Sequence, residues 1–317
     1  MFDRFKDKKE AETPDYPTKR EFEKLERLVN THHEYLNNIF VFHELEPGRY
    51  MELMRSISYE VFKFFDYVCS KHNIEYWLDF GTLLGAVRHG DFIPWDDDLD
   101  VGMVRSEYLR FIDVIQEEID SSGLIDTVAV FKVDVRDRIS RRWFQIEFRR
   151  PEFRGKFIGI DIFPYDFIAN PDDSLEERFY ESRDRFFKGR TDGLTINEVV
   201  DKLYGELDLD FEPQNYLIPG VEDLRGTGFV DVYSFSVLES DKIFPFREVE
   251  FAGKTFKAPN DIDYYLKDIY GKDYMKIPNK MRDHRRLNRY VKQENIIKML
   301  EESNDMIIKV NRNLNIE

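Results

Sequence analysis

One cysteine, Cys69, is all that this chain of 317 residues contains. That excludes an intramolecular disulfide and a zinc–cysteine cluster. Cys69 falls in the apolar pattern of an expected helix, where packing rather than catalysis is its role. Long hydrophobic runs are missing as well. No stretch approaches the roughly 18 apolar residues of a membrane-spanning helix, and the opening MFDRFKDKKEAETPDYP holds no apolar segment of signal-peptide length. Positive charge is the minority, with 47 Lys and Arg against 63 Asp and Glu and a formal net charge of −16. Nucleic acid is disfavoured as a partner on that ground, since its binding rests on neutralising phosphates. One anionic small molecule carried in with a divalent cation is still admitted. No internal repeat is visible. The expectation is a soluble, cytoplasmic protein, compatible with a peripheral contact at the inner face of a membrane.

Apolar side chains are plentiful. Hydrophobic residues make up 42% and aromatics 15%, with 28 Phe and 17 Tyr, a composition that folds rather than staying disordered. Residues 1–46 read as a charged leader followed by a polar helix over about 20–37, and residues 47–317 as the main domain. From 51 to 72, Met54, Ile57, Val61, Phe64, Phe65 and Val68 recur at helical spacing. A strand over 74–78, a turn at Gly81 and a helix over 82–88 come next. A second strand over 99–103 leads to a helix capped by Ser106.

Strand-like runs then occupy 127–135, 143–148 and 157–163. The stretch 171–207 is helical in pattern and 209–228 reads as loop, together forming a variable insertion over about 171–244. A hairpin turns at Gly253-Lys254, Asn260 is read as the cap of a helix ending near Gly271, and the tail from 281 is helical. The fold class is α/β (α+β): a mixed sheet flanked by helices, with a helical N-terminal extension and C-terminal helices.

Residues 77–103, WLDFGTLLGAVRHGDFIPWDDDLDVGM, hold six aspartates among apolar neighbours. Carboxylates fixed so close together are costly unless cations neutralise them. In a strand around Leu99, Asp98 and Asp100 share one face while Leu99 and Val101 take the other. Two carboxylates at that spacing suit Mg²⁺ or Mn²⁺, which prefer oxygen ligands and bridge to phosphates. Asp96 keeps the spacing ahead of the strand. Asp161, in FIGIDIF, completes a triad if its strand neighbours the first; otherwise it is a cap or an ion-pair carboxylate.

Gly81-Thr82 at a helix start offers amides and a positive dipole end to an anion, although such a pair is often only a turn and a cap. Arg88 suits bidentate phosphate contacts, with a salt bridge to an aspartate as the alternative. His89 belongs to the same substrate side as a packing or hydrogen-bonding side chain rather than a base. A calcium loop from Asp96 to Glu107 fails, because Val101 stands where glycine is required. Tyr76, Trp77, Phe92, Trp95, Phe163 and Tyr165 are aromatics from which a quaternary ammonium box could be built, but each is more often core.

The segment YWLDFGTLLGAVRHGDFIPWDDDLDVGM resembles the signature of the LicD family, which includes bacterial phosphocholine transferases and fukutin-type proteins. FIGIDIFPYD and FAGKTFKAPNDIDYYLKDIYGKDYMKIP resemble its later blocks. The likeness runs from about residue 61 to 278 and departs at His89-Gly90-Asp91, where many members carry glycine directly before Phe-Ile-Pro. It implies a nucleotidyltransferase-like fold and metal-dependent transfer of a phospho-alcohol from a CDP-activated donor to a glycan or glycolipid hydroxyl. On this chain it places metal binding at Asp98 and Asp100, with Asp96 beside them, and a third carboxylate at Asp161. An Asp-x-Asp glycosyltransferase and a non-catalytic binding module are the rival readings.

Overall fold

The structure, a computed structural model, describes residues 18–40, 48–124, 128–131, 144–148, 158–188, 196–221, 235–277 and 295–316. The chain divides into two compact units. Helix α1 (Lys19–Phe40) belongs to the first. It starts at a capping box, in which the Glu21 amide donates to Thr18 Oγ1 at 3.3 Å and the Thr18 amide donates to Glu21 Oε2 at 2.8 Å.

The second unit opens with α2 (Arg49–Lys71). It continues through β1 (Trp77–Leu78), α3 (Phe80–His89), β2 (Leu99–Val104), α4 (Arg105–Ser122), β3 (Val128–Phe131), β4 (Phe144–Phe148) and β5 (Ile158–Ile168). Then come α5 (Leu175–Lys188), α6 (Ile196–Leu207), β6 (Leu209–Asp210), β7 (Tyr216–Pro219), β8 (Leu238–Glu239) and the short α7 (Ser240–Ile243). The hairpin β9 (Arg247–Phe251) and β10 (Lys254–Ala258), α8 (Ile262–Tyr270) and α9 (Ile296–Asn313) close it.

One mixed sheet runs β1-β2-β5-β4-β3, in which β2 and β5 are parallel and the other neighbours antiparallel. This is the expected mixed sheet flanked by helices. Strand β5 serves two sets of partners, pairing with β4 along its first half and with β7 and β6 along its second. The apolar stripe of α2 is core, with Met54, Ile57, Val61, Phe64, Phe65 and Val68 all at most 1% exposed. Helix α9 lies along α2, fastened by Ser56 to Asn304 at 2.8 Å and by the Asn311 amide to the Glu60 carbonyl at 2.9 Å. Cys69 is buried and its thiol pKa is pushed well up by burial. In β2, Gly102 is dictated by close approach: a Cβ there would lie 2.3 Å from the Trp77 indole.

Several local expectations shift. Strand β1 keeps only Trp77–Leu78 of the expected 74–78, and Gly81 falls inside the first turn of α3 rather than ahead of it. Helix α4 begins at Arg105, so Ser106 does not cap it; Val104 holds the cap position without a side-chain bond. Asp261, not Asn260, caps α8 through the Tyr264 amide at 3.0 Å, while Asn260 donates to the Asp241 carbonyl. Residues 209–228 were expected as loop, yet β6 and β7 join the main sheet from there. Strands of two and four residues carry too little period to be read. The leader over 1–17, the tail over 281–294 and parts of the strands expected at 127–135, 143–148 and 157–163 lie outside the described residues. No helix among the described residues is long and apolar enough to cross a membrane.

Candidate active site

The parallel pairing of β2 with β5 puts Asp100 opposite Asp161, with Leu99 beside Ile160 and Val101 beside Ile162 in the core. Asp98 immediately precedes β2. The carboxylates of Asp96, Asp97 and Asp98 each offer an oxygen within 4.8 Å of the others. Gly81 faces the same group. A Cβ at that position would lie 2.6 Å from Asp96 Oδ2 and 3.3 Å from Asp100 Oδ2. The fold therefore gathers Asp96, Asp98, Asp100, Asp161, Gly81 and Thr82, and adds Asp97.

Two bonds fasten α3 to β2 here. The Gly81 amide donates to Asp100 Oδ2 at 3.1 Å, and the Asp100 amide donates to Thr82 Oγ1 at 2.7 Å. The helix-terminal amide that was expected to receive a phosphate holds a carboxylate. Thr82 is buried and serves as a brace between the two elements.

Burial raises the Asp100 pKa well above the usual carboxylate range, and the charges of Asp98, Asp161, Asp96 and Asp79 push it further in the same direction. Such a group gains from a cation. The donors are all carboxylate oxygens, a set that suits a hard divalent ion, and the absent Cβ of Gly81 keeps the space in front of Asp96 and Asp100 clear. The residues fit Mg²⁺ or Mn²⁺.

Arg88 and His89 lie at the far end of α3, about 10 Å along the helix axis from Gly81. Arg88 donates to the Tyr274 carbonyl at 3.1 Å and to His89 Nε2 at 3.0 Å, and its guanidinium lies 5.6 Å from the Trp95 ring centre. Burial lowers its pKa to about 10, which leaves it charged at neutral pH, with Asp96 among the acids acting on it. His89 is lowered to about 4 by burial and then by the cations Arg88 and Arg55. It is a neutral acceptor. Of the six aromatics considered for a cation box, Tyr76, Trp77, Phe92, Phe163 and Tyr165 are core at 8% exposure or less. Trp95 is partly exposed and already carries Arg88.

Four further side chains and a carboxylate hold the site together. From α2, Arg55 donates to the carbonyls of Ile93 and Asp96, and Ser58 to that of Asp97 at 3.1 Å, which pins the acid loop by its backbone. Both are polar residues three apart on one face of an amphipathic helix, a signal indistinguishable from a solvated face. Asp79, fully buried at the N-cap of α3, accepts the Phe80 amide and the hydroxyls of Tyr265 on Oδ1 and Tyr165 on Oδ2, each at 2.7 Å. Phe80 itself sits at φ +36°, a left-handed conformation that costs an aromatic residue about 1–3 kcal/mol and survives only where its surroundings enforce it. An acid between a strand and Gly-Thr is the sequence signal for Asp79; nothing local signals Tyr265.

A polar groove of about 610 Å³ lies elsewhere, lined by Asp66, Asn73, Tyr76, Glu107, Arg110 and Lys257 among others. None of the clustered aspartates lines it.

Comparison with known proteins matches residues 73–198 to the family described as "LicD/FKTN/FKRP, nucleotidyltransferase domain". The chain is 27% identical over 237 residues to the lipopolysaccharide cholinephosphotransferase LicD of Haemophilus influenzae, covering 69% of this chain and 88% of that protein. It is 42% identical over 59 residues to an uncharacterized protein of Rickettsia typhi, 19% of each chain. It is also 63% identical over 30 residues to the ribitol 5-phosphate transferase FKRP of Homo sapiens, 10% of this chain and 6% of that one. The last two matches are thus short segments.

Proposed function

The chain carries a LicD-family nucleotidyltransferase domain over residues 73–198, and from that premise we propose that it is a phosphotransferase acting on cell-surface glycans. In finer terms, it moves phosphocholine from a CDP-activated donor to a hydroxyl of a lipopolysaccharide, teichoic acid or capsule acceptor. The observation that carries this reading is the register of Asp100 against Asp161 beside Asp96, Asp97 and Asp98, all fronted by Gly81.

Asp96, Asp98 and Asp100 would hold Mg²⁺ or Mn²⁺, which when bound neutralises a diphosphate and the charge that develops on the departing nucleotide. Arg88, charged at neutral pH, adds positive potential on the Asp96 side. Asp161 takes the proton of the acceptor hydroxyl as its oxygen forms the new bond to the phosphorus of the phosphocholine group. The bond from that phosphorus to the CMP oxygen breaks, and CMP leaves with the electron pair. Catalysis is then mostly positioning and electrostatic stabilisation. The glycolipid acceptor brings the enzyme to the inner face of a membrane as a peripheral protein.

One observation favours a second donor. The 30 residues shared at 63% identity with a ribitol 5-phosphate transferase support CDP-ribitol, or the related CDP-glycerol, as the runner-up. The two classes ask for different pockets: a trimethylammonium group wants aromatic faces or a carboxylate, a polyol wants hydrogen-bonding side chains. With Mg²⁺ present, CDP-choline raises the melting temperature more than CMP does, since a ligand at about 100 times its Kd adds about 2.7 kcal/mol, and CMP release requires a glycan acceptor and stops with EDTA. If CDP-ribitol or CDP-glycerol stabilises the protein and CDP-choline matches CMP, the polyol reading replaces the choline one. If a nucleotide sugar alone does so, glycosyl transfer replaces both.

A further inference from the structure

The Phe80–Gly81 turn is where the acid cluster meets α3, and its conformation is imposed from below. Asp79 donates its amide to the Asp100 carbonyl at 3.0 Å, extending the pairing of β1 with β2 by one residue. Its carboxylate draws the Phe80 amide back onto Oδ1 at 2.7 Å, which turns Phe80 to positive φ and leaves the next amide, that of Gly81, aimed at Asp100 Oδ2. The carboxylate is in turn fixed by two hydroxyls. Tyr165 comes from β5, on the same face as Asp161 by strand alternation, and Tyr265 from α8, 186 residues along the chain from Asp79. The two hydroxyls also lie 2.7 Å from each other. Both tyrosines and Asp79 are fully buried, so these bonds are made in a low-dielectric interior where they hold firmly.

We infer that Tyr265, acting with Tyr165 through Asp79, is a positioning residue of the acid site: its hydroxyl fixes the turn that holds the Gly81 amide on Asp100. The C-terminal segment resembling the family's closing block thereby acts on the reaction without touching substrate. The consequence for metal binding rests on the function proposed above; the consequence for the Gly81 amide does not.

The test is Tyr265→Phe, which deletes one oxygen and keeps the ring in place. Hydrogen exchange at the Gly81 amide, read by NMR on the full chain without metal or donor, accelerates about tenfold or more, the loss expected when a bond to a charged group is released. Exchange at the amides of residues 86–88, deeper in α3, stays at the wild-type rate. Mn²⁺ binding, read by electron paramagnetic resonance, weakens by a similar factor, and kcat falls while KM for the donor holds.

Unchanged exchange at Gly81 overturns the inference, as does acceleration spread evenly along α3, which marks a structural role alone. Where the wild type binds Mn²⁺, unchanged affinity in Tyr265→Phe overturns it too. If the wild type binds no Mn²⁺, the metal reading fails separately and the exchange measurement alone decides the positioning role. Should Tyr265→Phe not fold, Tyr165→Phe, which removes the bond to Oδ2, is judged by the same exchange; unfolding of both assigns the tyrosines to stability and ends the proposal.

Discussion

Ionisable groups meet at both ends of the β2–β5 pairing, and the two ends are built in opposite ways. Where the strands enter the sheet, Asp100 stands in register with Asp161, acid against acid, and its pKa is driven up by burial and then by the charges of its neighbours. Where they leave it, Asp166 of β5 meets Arg105 at the head of α4, Nε on Oδ1 and Nη2 on Oδ2, both at 2.8 Å, with the Tyr204 hydroxyl on Oδ1 at 2.7 Å. Arg105 is 3% exposed and Asp166 1%. A buried carboxylate met by a fork and a hydroxyl is complete as it stands. At the other end the register sets carboxylate against carboxylate, an arrangement that gains from a cation. One sheet thus separates a carboxylate held in the Arg105 fork from carboxylates set against one another, and the neighbour across the strands tells them apart.

The sharpest way to break that contrast is to remove charge at the front. Under the proposed metal-dependent transfer, Asp100→Asn lowers turnover by about 10³-fold or more, because a catalytic divalent ion contributes several kcal/mol to the transition state. The fold persists, and the metal-free melting temperature rises as repulsion from Asp98 and Asp161 is relieved. Near-normal turnover at ordinary Mg²⁺ would remove Asp100 from the metal site. At the back the same kind of change acts in reverse. Arg105→Met leaves Asp166 buried without its fork and lowers unfolding free energy by about 3–5 kcal/mol, measured by urea titration, while the folded fraction keeps its specific activity. If Arg105→Met instead abolished turnover at intact stability, the division between the two ends would collapse.

How far each end was legible in the sequence follows the range of the interactions. The alternation of Asp98 and Asp100 with Leu99 and Val101 is local, and it named the acid face; the burial of Leu99 and Val101 is what that alternation requires. Asp161 between isoleucines was recognisable as an expensive carboxylate, but its neighbour was conditional until β5 paired with β2. The stripe of α2 was readable; Arg55 and Ser58, which hold the acid loop by its carbonyls, were not, since a polar residue on an amphipathic helix looks the same whether it meets water or a buried backbone. Arg105 carried no signal of its pairing with Asp166, and Tyr265 none of its bond to Asp79. Hydroxyl and guanidinium contacts that span the chain leave no period. The short strands β6 and β7 failed for a plainer reason: they owe their pairing to the length of β5, not to their own pattern.

The smallest expected effect concerns a third kind of charged neighbourhood, His89 between the cations Arg88 and Arg55. Burial and those two charges hold its pKa at about 4, so the folded protein keeps the ring neutral while the unfolded chain takes up a proton below the ordinary value near 6.5. The sign follows. A depressed imidazole contributes stability that is present above pH 6.5 and is lost as the pH falls toward 4, because the unfolded state then binds more protons. His89→Gln, whose side-chain oxygen accepts from Arg88 as Nε2 does, therefore loses less stability than the wild type between pH 7 and pH 5, as read by urea midpoints at both. The transfer rate of the variant keeps the wild-type pH profile, since a ring that stays neutral across this range contributes no limb near 6.5. Equal pH slopes for the two proteins would mean that the folded state protonates His89 at pH 5. The cations beside it would then be balanced by Asp96 and its neighbours rather than pressing on the ring.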